Sequence, residues 1–285
     1  MTTPGEILQR YRIRPDKRRG QSFLTDLNTI HKIAAAGKIT REDLVVEIGA
    51  GFGVLTGNIA QRAGRLIAVE IDLKLVGILQ KELAQCKQVE VFSGDILKFD
   101  FSCISKQYKS KIKVVGNIPY NISSPVVFHL LAHRRVIRDF TLMLQKEVVE
   151  RLVSAPGRKS YGVPSVLLQM YADMKKLFDV PPGCFYPAPK ITSSVMQGKF
   201  LEEPRFALED EKLFNRLVRA SFAQRRKMLA NNLKQAAFLK ELGEEDITSA
   251  LRQAGIDGKR RGETLSVEEF GALSNFLKNQ LTNRG

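Results

Sequence analysis

From residue 44 the chain alternates short apolar runs with amphipathic stretches. Leu44-Val45-Val46-Glu47-Ile48 is apolar but for one acid and ends in glycines, the pattern of a strand buried on both faces. A helical stretch follows over about 54–63, then a strand at 66–70, a helix over about 73–85, and a strand at 89–92 that runs into Ser93-Gly94-Asp95. Further strands are predicted at 113–117 and 140–144. Such alternation folds as βαβ units with right-handed crossovers, giving a Rossmann-like α/β parallel sheet with helices on both faces. Ligands of these sheets bind beyond the carboxyl ends of the strands.

After about residue 204 strand patterns stop and helical periodicity takes over, at 210–222, 225–237, 246–254 and 266–280. Ser266 and Glu269 have the spacing of a capping box, and Leu265 with Phe270 that of a hydrophobic staple. With Pro204 as the boundary, the expected organisation is a catalytic α/β domain over 1–204, carrying a basic N-terminal arm, and a small all-helical domain over 205–285.

Composition narrows the class. At 44% hydrophobic residues in 285 the chain has enough apolar surface for a packed interior. No apolar run approaches the ~20 residues needed to cross a bilayer, and the polar, basic start does not read as a secretory signal. Cys86, Cys103 and Cys184 are widely spaced and form no Cys-x-x-Cys pair, which argues against a disulfide framework or zinc knuckle and for a cytoplasmic location. His129 and His133 stand one helical turn apart without a third ligand near in sequence, so no metal is expected. The charge is the informative term: 45 Lys and Arg against 30 Asp and Glu, a net +15, favours a polyanionic partner, nucleic acid ahead of a membrane. Residues 10–19 alone hold six basic residues and one acid, an arm that is either solvated or set against phosphates.

The chemistry sits at the predicted strand ends. Gly49-Ala50-Gly51-Phe52-Gly53 joins the first strand to its helix, letting the backbone bend and a ligand approach without a Cβ in the way. A dinucleotide fingerprint would need its third glycine at 54, which is Val54; the Gly-x-Gly-x-Gly spacing is commoner in methyltransferases. Glu70 ends the second strand, where a carboxylate accepts both ribose hydroxyls. Asp95 ends the third, where it can accept from an adenine amino group. Asn117-Ile118-Pro119-Tyr120 follows the fourth and resembles the motif of enzymes that methylate exocyclic amines of bases. An adenine N6 lone pair is delocalised into the ring. Acceptors on its two N–H bonds, the Asn117 side chain and a carbonyl such as that of Ile118, draw the nitrogen toward tetrahedral geometry, and help most in the transition state as positive charge develops there. Tyr120 would stack on the extruded base.

With these residues in view, nearly the whole chain resembles the ribosomal RNA adenine N6,N6-dimethyltransferases. The likeness also takes in Gly20-Gln21-Ser22-Phe23-Leu24, Gln145-Lys146-Glu147-Val148, Tyr161-Gly162-Val163, the segment from Phe185 to Ser193, and Ser221-Phe222-Ala223-Gln224-Arg225-Arg226-Lys227. The resemblance implies S-adenosylmethionine as cofactor, with S-adenosylhomocysteine as product. It implies Ser22, Leu24, Gly49, Glu70, Asp95 and Asn117 at or beside the cofactor, and Phe185 as the base-pocket wall facing Tyr120. It implies RNA contact by Arg225, Arg226 and Lys227, with Lys259-Arg260-Arg261 as a second basic run. The family usually carries Asn where this chain has Ser22, a shorter side chain that keeps only a hydroxyl. The implied reaction is dimethylation of two adjacent adenines in the 3′-terminal hairpin of small-subunit (16S) rRNA, in the immature small subunit, by a cytoplasmic monomer. Rival readings are a large-subunit methylase of the macrolide-resistance type, a non-catalytic assembly or transcription factor of the same fold, a DNA adenine methylase, and a dinucleotide oxidoreductase.

Overall fold

The computed structural model describes residues 3–16 and 20–282; Lys17, Arg18 and Arg19 of the basic arm lie outside the described residues. The chain runs α1 (Pro4–Arg10), β1 (Phe23–Leu24), α2 (Leu27–Ala36), β2 (Leu44–Ile48), α3 (Val54–Ala60), β3 (Arg65–Glu70), α4 (Leu73–Glu82), β4 (Val89–Ser93), α5 (Phe101–Tyr108), β5 (Ile112–Asn117), α6 (Ser123–Ala132), β6 (Ile137–Gln145) and α7 (Lys146–Leu152). It continues through α8 (Val163–Gln169), β7 (Ala172–Val180), β8 (Phe185–Tyr186), β9 (Ser193–Phe200), α9 (Glu211–Ser221), α10 (Leu229–Lys234), α11 (Glu244–Gln253) and α12 (Val267–Thr282). Two compact units result, one of residues 1–149 with 174–200 and one of 150–173 with 201–285. Residues 150–173, which precede the boundary expected at Pro204, are thus counted with the helical segment.

In the first unit the seven-stranded sheet of the described residues has the order β4-β3-β2-β5-β6-β9-β7. The five strands read from the sequence form its parallel part. The sheet is mixed, because β9 pairs antiparallel to β6, Gln145 opposite Ser193 through Asp139 opposite Lys199. Every residue of β2 is buried, and so is all of β3 after Arg65, as expected of central strands covered on both faces. Aspartates cap the helices that follow: Asp26 for α2, Asp72 for α4 and Asp100 for α5, each accepting from main-chain amides of the first turn. The chain enters at β2, steps outward through β3 and β4, then returns to the other side of β2 with β5 and β6. The crevice between β2 and β5 is therefore a topological switch point.

The second unit buries Phe214, Leu217, Leu229, Leu233, Leu251, Phe270, Leu273 and Leu277 among α9 to α12. The capping box at Ser266 forms, with Glu269 N donating to Ser266 Oγ and Ser266 N to Glu269. The helix expected at 225–237 is shorter. Residues 222–227 form turns, α10 begins only at Leu229, and a 3₁₀ turn follows at Ala237–Leu239. The first amides of α10 are already bonded elsewhere, Leu229 N to Arg260 O and Ala230 N to Gly258 O, which fixes the helix start downstream of the basic run.

Candidate active site

The sheet order places the sequence motifs side by side. Asp95, Glu70, Gly49 and Asn117 follow or end β4, β3, β2 and β5, four adjacent strands. At ~4.8 Å per strand the row spans roughly 14 Å, enough for an extended nucleoside joined to an amino acid. A cavity of about 280 Å³ opens along this row, lined by Gln21, Ser22, Gly49, Gly51, Glu70, Gly94, Asp95, Asn117, Pro119, Tyr120 and Phe185 among others.

Gly49 sits at φ 71° and Gly53 at φ 91°, the left-handed region that side chains rarely adopt. A Cβ on Gly49 would lie 3.4 Å from the Asn117 carbonyl, and one on Gly53 would lie 2.7 Å from Leu79 Cδ1. The loop thus presents bare backbone to the cavity while α3 packs closely on α4.

Glu70 is held by three main-chain donors: Gly51 N at 2.8 Å, and Ile71 N and Asp72 N at 2.9 Å each. Burial pushes its carboxyl upward in pKa, and the three amides oppose that. With its orientation fixed, it keeps acceptor capacity for a diol. Asp95 caps the following turn through Oδ1, which accepts from Leu97 N at 2.9 Å. Asn117 donates from Nδ2 to the Ser22 carbonyl at 3.2 Å. Tyr120 Oη lies 2.7 Å from Ser193 Oγ, and burial raises the phenol's pKa. Phe185, 5% exposed, lies in β8 opposite Leu24 of β1. The bare glycine backbone, the fixed carboxylate at the end of β3 and the second acid beyond the neighbouring strand are a donor and acceptor set that fits S-adenosylmethionine.

Of the residues named from sequence, Ser22, Gly49, Glu70, Asp95, Asn117, Tyr120 and Phe185 line this one cavity. Leu24 does not. It is buried and borders a separate void of about 40 Å³, with Glu47, Asn117 and the glycine loop. Two features escaped the sequence. Gln21 bridges Asp16 N, at 2.7 Å, and Asp72 Oδ2, at 3.0 Å, which ties the arm's end to the start of α4. Glu47 is wholly buried with Oε2 unpartnered, and its carboxyl is pushed up to about 8 by desolvation. The only hint of it was an acid inside an apolar strand.

In the second unit Arg225 is already engaged. It pairs with Glu263 at 2.6 Å and donates to the Tyr161 carbonyl at 3.1 Å. Arg226 and Lys227 are exposed on the same turn. Arg260 is tied to Glu269 and to the Thr264 carbonyl. His129 and His133, in the first unit, face main-chain carbonyls of Phe99 and His129 at 2.9 and 3.0 Å and pack around Phe101.

The fold and the donor set define the class, a Rossmann-like S-adenosylmethionine-dependent methyltransferase. A family model described as ribosomal RNA adenine dimethylase matches residues 14–279. A ribosomal RNA small subunit methyltransferase A from Syntrophus aciditrophicus is 46% identical over 97% of this chain and 99% of its own. The protein of the same name from Clostridium perfringens is 42% identical over 98% and 96%. Among solved structures, a dimethyladenosine transferase from Plasmodium falciparum superposes with TM-score 0.75 at 26% identity, covering 92% of this chain and 98% of that one. The 23S rRNA methyltransferase ErmE superposes with TM-score 0.68 at 27% identity, covering 90% and 99%. The chain belongs to the ribosomal RNA adenine dimethylase family.

Proposed function

We propose that the protein dimethylates N6 of two adjacent adenines in the 3′-terminal hairpin of small-subunit (16S) rRNA, acting as a cytoplasmic monomer on the immature small subunit. The observation that carries this is the presence of Asn117, Tyr120 and Phe185 on the walls of the same cavity as Glu70 and Asp95, so that an amine-recognition motif and a nucleoside-binding motif share one space. The names of the relatives at 42–46% identity favour the small-subunit substrate over the large-subunit one.

When bound, S-adenosylmethionine supplies an electrophilic methyl group. Glu70 binds the ribose hydroxyls, Asp95 accepts from the adenine amine of the cofactor, and Gly49 and Gly51 leave room for it along the backbone. Ser22 contributes main chain at the cavity edge. Tyr120 and Phe185 clamp the target base after it leaves its stack, each aromatic contact worth about 1–3 kcal/mol. Asn117 Oδ1 and a neighbouring carbonyl such as that of Ile118 accept the two N–H bonds of the amine and stabilise the charge that develops on nitrogen. The proton then leaves to solvent without a strong base. In the helical unit, phosphate contact falls to Arg226 and Lys227, because Arg225 is engaged with Glu263 and Tyr161.

The test is a transfer assay with methyl-labelled cofactor on hypomethylated small subunits, large-subunit rRNA and duplex DNA. Label entering small-subunit RNA alone is the expected result. Label confined to large-subunit RNA or to DNA would overturn the assignment.

A further inference from the structure

We infer that Ser22 is a positioning residue whose hydroxyl couples the cofactor-side segment to the wall of the target-base pocket, rather than a side-chain ligand of the cofactor. This rests on the functional reading above and deepens it.

Residues 22–25 are joined to residues 184–187 at every step. Phe23 stands opposite Tyr186 and Leu24 opposite Phe185 in a two-residue antiparallel ladder. On one side of that ladder, Thr25 N and Thr25 Oγ1 both donate to the Cys184 carbonyl, at 2.8 and 3.1 Å. On the other side, Ser22 Oγ donates to the Pro187 carbonyl at 2.9 Å. The serine hydroxyl thus extends the pairing by one residue where the main-chain ladder stops.

The same residue faces the acceptor of the target amine. Its carbonyl receives the Asn117 side-chain amide at 3.2 Å, which leaves Asn117 Oδ1 for the base. Ser22 therefore touches two parts of the base site through different atoms, the Asn117 amide through O and the 185–187 segment through Oγ. It belongs, however, to the segment that borders the cofactor cavity. An Oγ donating its one proton to Pro187 has none left to give a cofactor carboxylate and can meet the cofactor only as an acceptor.

A shift of residues 20–24 on cofactor binding is transmitted to Phe185 by the ladder and to Pro187 by this bond. A coupling of this kind is reciprocal: occupancy by cofactor tightens RNA, and RNA tightens cofactor by the same factor. A short side chain suits the role, since a hydroxyl one bond from Cβ has little freedom to let the two segments drift apart.

The test uses the full-length protein, with S-adenosylhomocysteine as an unreactive cofactor and a transcript of small-subunit rRNA. RNA affinity is measured with and without saturating S-adenosylhomocysteine for wild type, Ser22→Ala and Ser22→Thr. Wild type is expected to bind RNA roughly five-fold or more tighter with S-adenosylhomocysteine present. Ser22→Ala is expected to bind S-adenosylhomocysteine alone within about two-fold of wild type but to show measurably weaker coupling, and Ser22→Thr, which keeps the hydroxyl, to restore it. A general loss of fold in Ser22→Ala would weaken both ligands alone, and rescue by Ser22→Thr separates that from uncoupling. Coupling that is equal in wild type and Ser22→Ala, or absent in wild type, overturns the inference. So does Ser22→Ala weakening S-adenosylhomocysteine while coupling persists. Failure of wild type to bind S-adenosylhomocysteine at all overturns the functional reading as well, and is distinguishable from each of these.

Discussion

The Asn117 side-chain amide donates to the Ser22 carbonyl at 3.2 Å, across 95 residues of sequence. That bond sets which end of the amide faces outward. With Nδ2 engaged, Oδ1 is the atom left to accept, the end that the proposed transfer to an exocyclic amine calls for. Among the described residues no other donor reaches it.

Asn117→Ala removes that acceptor. It is expected to lower the methyl-transfer rate by about 10²–10³-fold, as for a lost transition-state hydrogen-bonding group, with RNA affinity by filter binding within about two-fold of wild type. Turnover within an order of magnitude of wild type would show that Asn117 does not act on the amine.

Tyr120 separates stacking from hydroxyl chemistry. Its hydroxyl meets the buried Ser193, and burial raises its pKa above the ordinary phenol value, so the ring stays neutral through the physiological range. Tyr120→Phe is expected to keep most activity and a flat rate between about pH 7 and 9. Tyr120→Ala is expected to lose stacking worth about 1–3 kcal/mol, roughly 5- to 150-fold in kcat/KM. Equal losses in the two variants would mean that the hydroxyl, not the ring, matters.

Glu47 predicts a pH dependence of stability. Its folded-state pKa is raised to about 8 from an ordinary 4.5, so the folded protein holds a proton that the unfolded chain releases. The stabilisation is complete below about pH 4.5 and is lost progressively as pH rises through 8. Glu47→Gln, neutral at every pH, removes that loss. Melting temperatures compared between about pH 5 and 9 should show wild type falling relative to Glu47→Gln as pH rises, at up to ~1.4 kcal/mol per unit. Parallel curves would mean that Glu47 is ionised in the folded state.

The basic turn of the helical unit divides by role. Arg225→Ala is expected to cost about 1 kcal/mol of stability through the lost Glu263 and Tyr161 contacts, discounted for its partial exposure. Arg226→Ala and Lys227→Ala should leave melting unchanged, weaken RNA binding and each lower the salt slope of log K by about one. If Arg225→Ala alone changed the salt slope, the division would be reversed.

Why some of this was legible in the sequence and some was not follows from range. β2, β3 and β5 are short, mostly apolar and mostly buried runs, a signal contained within five or six residues. β7 and β9 lie at the other edge of the sheet. β7, reading Ala-Asp-Met-Lys-Lys-Leu-Phe-Asp-Val, mixes charged and apolar positions with partial exposure, and so lacks a clean period. The helix α1 is only seven residues long, though Thr3 and Glu6 cap it with box spacing that was there to be read. Gly49, Glu70, Asp95 and Asn117 were legible because each ends or follows a recognisable strand, and strand order then aligned them, whereas Ser22 and Phe185 came only through the family resemblance. The bridges from Gln21 to Asp72, Ser22 to Pro187 and Arg225 to Glu263 join positions 51, 165 and 38 residues apart. They depend on the assembled fold and leave no local trace.

Under the proposed function this cavity places two methyl groups on the amine of each of two neighbouring adenines. Nucleotide-resolution mass spectrometry of hypomethylated small subunits incubated with the protein and S-adenosylmethionine tests it most directly. N6,N6-dimethyladenosine at two adjacent positions of the 3′-terminal hairpin, absent with Asn117→Ala, is the predicted result. Unmodified adenines there, or methylation on a ring nitrogen or a different base, would contradict it.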